Sequence, residues 1–241
     1  MFDRIRAAAL VTATLALGGL MAPGQAAAED HAPVVVELYT SQGCSSCPPA
    51  DAFLSTLAAR EDVIALALHV DYWDYIGWKD NFASPQFTKR QKLYAKHAGR
   101  RSVYTPQMVI QGEDDVVGTH PMDVAELILK HRDAEPRVRL TLDRAGADKV
   151  AIMARALSRI DGPLVVQIVR YTPSASVAIE RGENAGRTVS YANIVTEWKA
   201  LTEWDPRQPL SMNADAPGTQ PVVVLVQHKG PGRIEAAARL K

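Results

Sequence analysis

Residues 63–70, VIALALHV, form a nearly unbroken apolar run. A strand with one solvated face alternates apolar and polar residues, so a continuous run calls for cover on both faces, as in a parallel strand of an α/β sheet. The flanking segments fit that demand. Val34 to Tyr39 is a β-branched run that reads as a strand. From Asp51 to Arg60, the residues Phe53, Leu54, Leu57 and Ala58 fall at helical spacing. Ser84-Pro85 reads as a helix cap followed by proline at the first position, opening a helix that runs to about His97. QMVI at 107–110 and Val116-Val117 read as two strands turning at Gln111-Gly112, and Val124, Leu127 and Ile128 mark a last helix. The resulting order is β-α-β-α-β-β-α. Its first three elements require a parallel pair joined by a right-handed crossover. Its last two strands are joined too tightly to be anything but antiparallel.

The rest of the chain reads differently. Candidate strands lie near 137–143, 148–156, 163–171, 175–181, 187–197, 221–228 and 232–240, and this density of short strands suggests a β-sandwich. The polar, proline-ended stretch from His131 to Pro136 is the expected join. We therefore expect an α/β domain at 33–132 followed by an all-β, sandwich-like domain at 137–241. Within the latter, Glu183, Asn184 and Arg187 pose two alternatives, a ligand site or a polar hairpin tip over a packed strand; the hairpin tip is the expectation. Lys89, Lys92 and Lys96 share one helix face, read as solvated.

The start of the chain reads as an address. Arg4 and Arg6 precede an apolar run from Ala7 to Leu20, and residues 25–28, QAAA, end in the small-x-small pattern of a signal-peptidase site. The run is short for ~30 Å of hydrocarbon and is interrupted by Gly18, Gly19 and Pro23. The expectation is a cleaved signal peptide at 1–28, a processed chain beginning near Glu29, and a periplasmic or secreted protein not embedded in the membrane. Lys+Arg and Asp+Glu both number 27, and this balance gives no electrostatic reason to expect nucleic acid.

Export bears on the two cysteines of the chain, Cys44 and Cys47, in GCSSCPP at 43–49. Outside the cytosol thiols tend to be oxidised. One pair is not a framework of staples, and a loop this short constrains little of the unfolded chain. Residues i and i+3 share one face of a helical turn, at a separation a disulfide accepts. The start of a helix favours the thiolate, the reactive form. Ser45 and Ser46 are possible donors to it. Pro48-Pro49 is tolerable only in a first helical turn, which leaves Cys44 on the loop before a helix that starts near Ser46 or Cys47. A metal reading stays open as well. Cys44 and Cys47, with His69 or His120 as further candidates, suit Cu(I), which needs only two thiolates, better than structural zinc, which takes four ligands.

The C-x-x-C after the first strand, Thr105-Pro106 before the third, and the element order together resemble the thioredoxin fold over about residues 33–132. With VVVELYTSQGCSSCPPAD, DYWDYIGWKD and the β-rich second half, the chain resembles a bacterial family of secreted thioredoxin-like proteins of unassigned function. The resemblance implies that Cys44 is the more exposed, attacking cysteine and Cys47 the resolving one. It implies a cis Thr105–Pro106 bond, with Thr105 beside the substrate. A buried acid on the first strand is also implied. Glu37 is the candidate, although it stands seven residues before Cys44 where the family has six. Trp73, Tyr75 and Trp78 follow the second strand at the carboxyl edge of the sheet, where α/β sites lie, and are candidates for a peptide groove.

The expected function is an exported thiol–disulfide oxidoreductase acting on protein thiols or disulfides, with a redox partner protein and no cofactor or resident metal. Two alternatives stand beside it: a copper metallochaperone using the same cysteines, and a non-catalytic binding protein on a thioredoxin scaffold.

Overall fold

The structure is a computed structural model and describes residues 32–241, so the expected leader at 1–28 and the start near Glu29 lie outside the described residues. Strand β1 (Val34–Thr40) leads through a tight turn to helix α1 (Pro48–Ala58), then to β2 (Val63–His69), a 3-10 turn (Asp74–Ile76) and α2 (Pro85–His97). Strands β3 (Gln107–Ile110) and β4 (Asp114–Val117) and helix α3 (Pro121–Arg132) complete the first half. β1 and β2 are parallel, and β3 is antiparallel to both β1 and β4. Ser84 caps α2 by accepting a hydrogen bond from the Gln86 amide, and Pro85 takes the first helical position. Both features follow from Ser-Pro at a helix start.

The second half is all strand: β5 (Val138–Arg144), β6 (Lys149–Ala156), β7 (Leu164–Ala178), β8 (Thr188–Trp204), β9 (Leu210–Asp215), β10 (Val222–His228) and β11 (Ile234–Leu240). The segments expected at 163–171 and 175–181 are one strand, β7, and β9 lies where no strand was expected. Proline has no N–H to give to a ladder. β7 nevertheless runs through Pro173 in unbroken register, because the residue opposite it leaves the extended geometry: Asn193 on β8 takes a left-handed φ of 48° and donates its side-chain amide to the Ala65 carbonyl.

The sandwich expected at 137–241 is present in layering but not as a separate domain. One mixed sheet of eight strands runs β11-β10-β7-β8-β2-β1-β3-β4, so strands of both halves share it. A three-stranded sheet, β5-β6-β9, packs over its β7-β10-β11 side. Ile152, Val150 and Ala214 meet Val166, Ile168, Val222 and Val224 in that core. Helices α1 and α3 cover the β1-β2-β3 region on one face, around Leu38, Leu54, Ala65, Met108 and Ile128. α2 covers the other face, where Phe87 and Tyr94 pack with Val35, Leu66, Leu68 and Trp198. β1 and β2 are therefore buried along their whole length, the cover that their apolar runs required.

The large sheet is curled. Its β11 edge returns to the β3–β4 turn, where Ile234 and Gln111 bond in both directions: the Ile234 amide to the Gln111 carbonyl (2.8 Å) and Gln111 Nε2 to the Ile234 carbonyl (2.7 Å). Gln111 holds a left-handed φ of 52° there, and its Oε1 also accepts from the Val35 amide. Among the described residues no helix is long and apolar enough to cross a membrane.

Candidate functional site

The tandem prolines decide where α1 begins. Pro48 and Pro49 occupy its first turn, and Cys47 is the N-cap, whose carbonyl takes the first helical bonds from Ala50 and Asp51. Cys44 lies one tight turn earlier: its amide donates to the Ser41 carbonyl, and the Cys47 amide donates to the Cys44 carbonyl. Cys44 and Cys47 form a disulfide with Cα atoms 5.4 Å apart. Ser46 Oγ lies 3.4 Å from Cys44 Sγ, while the Ser45 and Ser46 side chains are otherwise exposed.

The loops expected around the cysteines do converge. The Thr105–Pro106 bond is cis. Gly118, after β4, lies where an added Cβ would meet Ala50, Leu38 and Pro106 at 3.1–3.3 Å, which sets Gly118 between Pro106 and the first turn of α1. Trp73 bridges the two sides. Its Cβ lies beside Gly43, and its Nε1 donates to Thr105 Oγ1 (2.7 Å). Tyr75 stacks on Trp73, with ring planes 14° apart, and is 80% exposed. Trp78 is committed to structure: its Nε1 donates to Gln42 Oε1 (2.8 Å), and Gly182 packs against its Cβ.

Two features of the site differ from expectation. The first is Glu37. Alternate residues of a strand point to opposite faces. Val36, Leu38 and Thr40 face α1, so Glu37 faces α2. There its carboxylate accepts two hydrogen bonds from Arg90 (2.7 and 2.8 Å) and one each from Tyr39 and Tyr94. Arg90 also lies over the Trp198 ring, 3.9 Å from its centroid. Glu37 thus belongs to a buried ion pair inside the curl, on the sheet face opposite α1 and the cysteines.

The acid on the α1 side is Asp51, one helical turn after Cys47. It is 2% exposed, with one oxygen accepting from Thr40 Oγ1 (2.8 Å) and the other buried with no hydrogen-bond partner among the described residues. Burial raises its pKa to about 7, against the lowering effects of His69 and of the Thr40 hydrogen bond; Asp80 adds a smaller upward push. His69 Nδ1 lies 2.7 Å from Asp80 Oδ2, itself bonded to the Gln42 amide just before the cysteine turn. The sequence does carry a signal for Asp51: an acid at i+4 from Cys47 falls on the same helix face.

The second difference is exposure. Cys44 is 1% exposed and Cys47 0%. The tip of the β7–β8 hairpin lies against the cysteine turn. Asn184, one of the three residues that left a ligand site or a hairpin tip open, is 1% exposed and donates through Nδ2 to the carbonyls of Gln42 (3.0 Å) and Cys44 (2.9 Å). Glu183 and Arg187 are exposed, and Arg187 donates to Asn184 Oδ1 (3.3 Å). Among the metal candidates, His69 is committed to Asp80, and His120 pairs with Asp123 at the start of α3. No cluster of three or more potential metal ligands occurs among the described residues.

Comparison with solved structures finds a crystal structure of a protein from Agrobacterium tumefaciens. It is 32% identical, with a TM-score of 0.75 over 88% of this chain and 96% of that one. No curated protein matches the chain. A family model described as a protein of unknown function, DUF1223, matches residues 35–227, a span from β1 through the cysteine turn and Pro106 to the β10 strand. That match takes in most of the chain and every element that frames the disulfide, and the protein belongs to the DUF1223 family.

Proposed function

We propose that this protein is an exported thiol–disulfide oxidoreductase whose working couple is Cys44–Cys47, on a thioredoxin-like α/β unit. The observation that carries the reading is the disulfide at the N-terminus of α1 with Thr105–Pro106 packed alongside through Gly118 and Trp73. The β-α-β-α-β-β-α order of the first half supports the thioredoxin-like part of the reading. The expected leader at 1–28 supports export to a compartment where such exchange operates.

In this scheme the reduced pair acts on a substrate disulfide. The Cys44 thiolate attacks one substrate sulfur, forming a mixed disulfide and releasing the other substrate sulfur as a thiolate. Cys47 gives up its proton and attacks Cys44 Sγ. The Cys44–Cys47 bond forms, the second substrate thiolate leaves, and two electrons have passed to the substrate. Asp51 is the proton acceptor for Cys47, since a buried carboxyl titrating near neutral pH is matched to a thiol. The reverse sequence oxidises a substrate dithiol. Trp73 and Tyr75, stacked beside Thr105, form the apolar side of the substrate surface.

The test is covalent trapping in exported full-length protein, whose N-terminus near Glu29 checks the export step. Cys47→Ser retains the attacking thiol and accumulates reductant-sensitive adducts with partner proteins, whereas Cys44→Ser traps few. If neither variant traps a partner while the wild-type thiols bind Cu(I) tightly, the metallochaperone reading replaces this one.

A further inference from the structure

The two longest strands, β7 and β8, run past the rest of the sheet. β8 meets β2 only near Ala67–Ile194, and beyond that point residues 174–178 and 188–192 pair only with each other. The hairpin therefore projects as an arm from the corner at Pro173 and Asn193, and its tip lies on the cysteine turn. Between Glu180 and Thr188 every residue is exposed except Asn184. Asn184 makes the two hydrogen bonds that join the tip to the turn, both to backbone carbonyls, one of them that of Cys44. Behind the tip, Ile179 and Val189 anchor the arm in an apolar cluster with Tyr191, Trp78 and Phe82; within the tip itself Gly182 packs lightly near Trp78 and Ile76, at 3.4–3.7 Å from a Cβ position. An open cleft of about 580 Å³ lies between Arg187–Ser190 and the α1 residues Pro48, Ala52 and Ser55, beside the root of the tip.

We propose that the β7–β8 tip is a lid over the Cys44–Cys47 bond and that Asn184 is its latch. The inference rests on the oxidoreductase reading for its biological purpose, but its physical content is independent of any partner. Sulfurs in residues 0–1% exposed do not meet an incoming thiolate until the cover lifts. One side chain holds that cover to the turn by two bonds. The segment between Ile179 and Val189 buries only Asn184, so with its root anchored the tip alone belongs to the low-stability end of the local opening spectrum, as a gating element must. Asn184 acts as a positioning residue, not a catalytic one. Its effect is on how often Cys44 becomes reachable, by a thiol reductant or by a partner protein that displaces the tip.

The probe is dithiothreitol acting on the oxidised full-length protein. One reductant thiolate attacks Cys44 Sγ, the Cys44–Cys47 bond breaks and Cys47 leaves as a thiolate that takes up a proton. The second reductant thiol then displaces Cys44, and the reductant ends as its own cyclic disulfide. Asn184→Ala removes both latch bonds and is expected to speed this reduction ~10–100-fold, the combined effect of two ordinary hydrogen bonds on a pre-opening equilibrium. Asn184→Asp, nearly the same shape but without the N–H donors, should also accelerate it. Ser176→Ala, which removes an exposed Ser176–Ser190 hydrogen bond in the arm, should leave the rate unchanged. Joining Ile179 to Arg187 through a two-residue Asn-Gly turn deletes the lid and should give the fastest reduction of the series. Equal rates for wild type, Asn184→Ala and the deleted tip overturn the proposal, as does an acceleration no larger than each variant's loss of global stability in urea accounts for. Cys47→Ser trapping repeated in the Asn184→Ala background separates the two readings. No partner trapped with the lid released sinks the oxidoreductase, whereas unchanged dithiothreitol kinetics sink the lid alone.

Discussion

Replacing Asp51 by Asn isolates the titration of one buried carboxyl. In the folded protein burial raises its pKa to about 7, opposed by His69 and the Thr40 hydrogen bond and reinforced by Asp80. In the unfolded chain an aspartate titrates near ~3.9. Because the folded value is the higher one, the folded state holds more protons than the unfolded state between about pH 4 and pH 7, and stability falls as the pH rises through that window. A difference of roughly three units corresponds to ~4 kcal/mol, fully lost above pH 7. Asn has the same shape and can still accept from Thr40, but it carries no charge. His69, Asp80 and Tyr191, the other ionisable groups around the site, are present in both proteins, so the comparison reads the Asp51 carboxyl together with its coupling to them. Urea unfolding of the oxidised wild type and of Asp51→Asn, measured from pH 3.5 to 8, gives the difference directly. It should be level below pH 4 and then turn progressively in favour of the variant, by ~4 kcal/mol at pH 8. A difference that stays constant to within ~1 kcal/mol over the whole range would mean that Asp51 ionises in the folded state as it does in water, and the proton-acceptor role assigned to it would go with it.

Two further substitutions probe the frame that holds the site. Arg90→Ala leaves the Glu37 carboxylate buried without its cation and should cost roughly 3–5 kcal/mol of unfolding free energy; a loss below ~1 kcal/mol in urea titration contradicts the buried pair. Gly112→Ala puts a Cβ 2.4 Å from the Gly232 carbonyl oxygen at a φ of 68°, where the sheet curls back on the β3–β4 turn. It should cost at least ~2 kcal/mol and increase hydrogen exchange at the Ile234 amide, and an unchanged midpoint would show that the junction has slack.

The sequence by itself determined the local elements of the first half. The apolar runs at 34–39 and 63–70 are strands buried on both faces because period and composition leave them no other stable placement. Ser84-Pro85 and Pro48-Pro49 fix helix starts through the missing N–H of proline, and the i,i+3 cysteines meet because the tight turn ahead of α1, closed by the Cys47 amide on the Cys44 carbonyl, brings them together. What the sequence did not carry is how distant segments meet. Glu37 and Asp51 are both acids near the cysteines in the chain. Strand parity sends Glu37 to Arg90 on the far face, while the helix brings Asp51 back beneath Cys47, and that contrast appears only once β1 is paired in register with β2 and β3. The second half reads as strands in either case, but whether they form a sheet of their own or extend the first depends on the Ala67–Ile194 pairing, made between residues more than a hundred positions apart. Asn184 is the sharpest instance. As a residue it belongs to an ordinary polar turn, and only the length of the β7–β8 arm beyond that pairing lays it on the carbonyl of Cys44, where it closes the site.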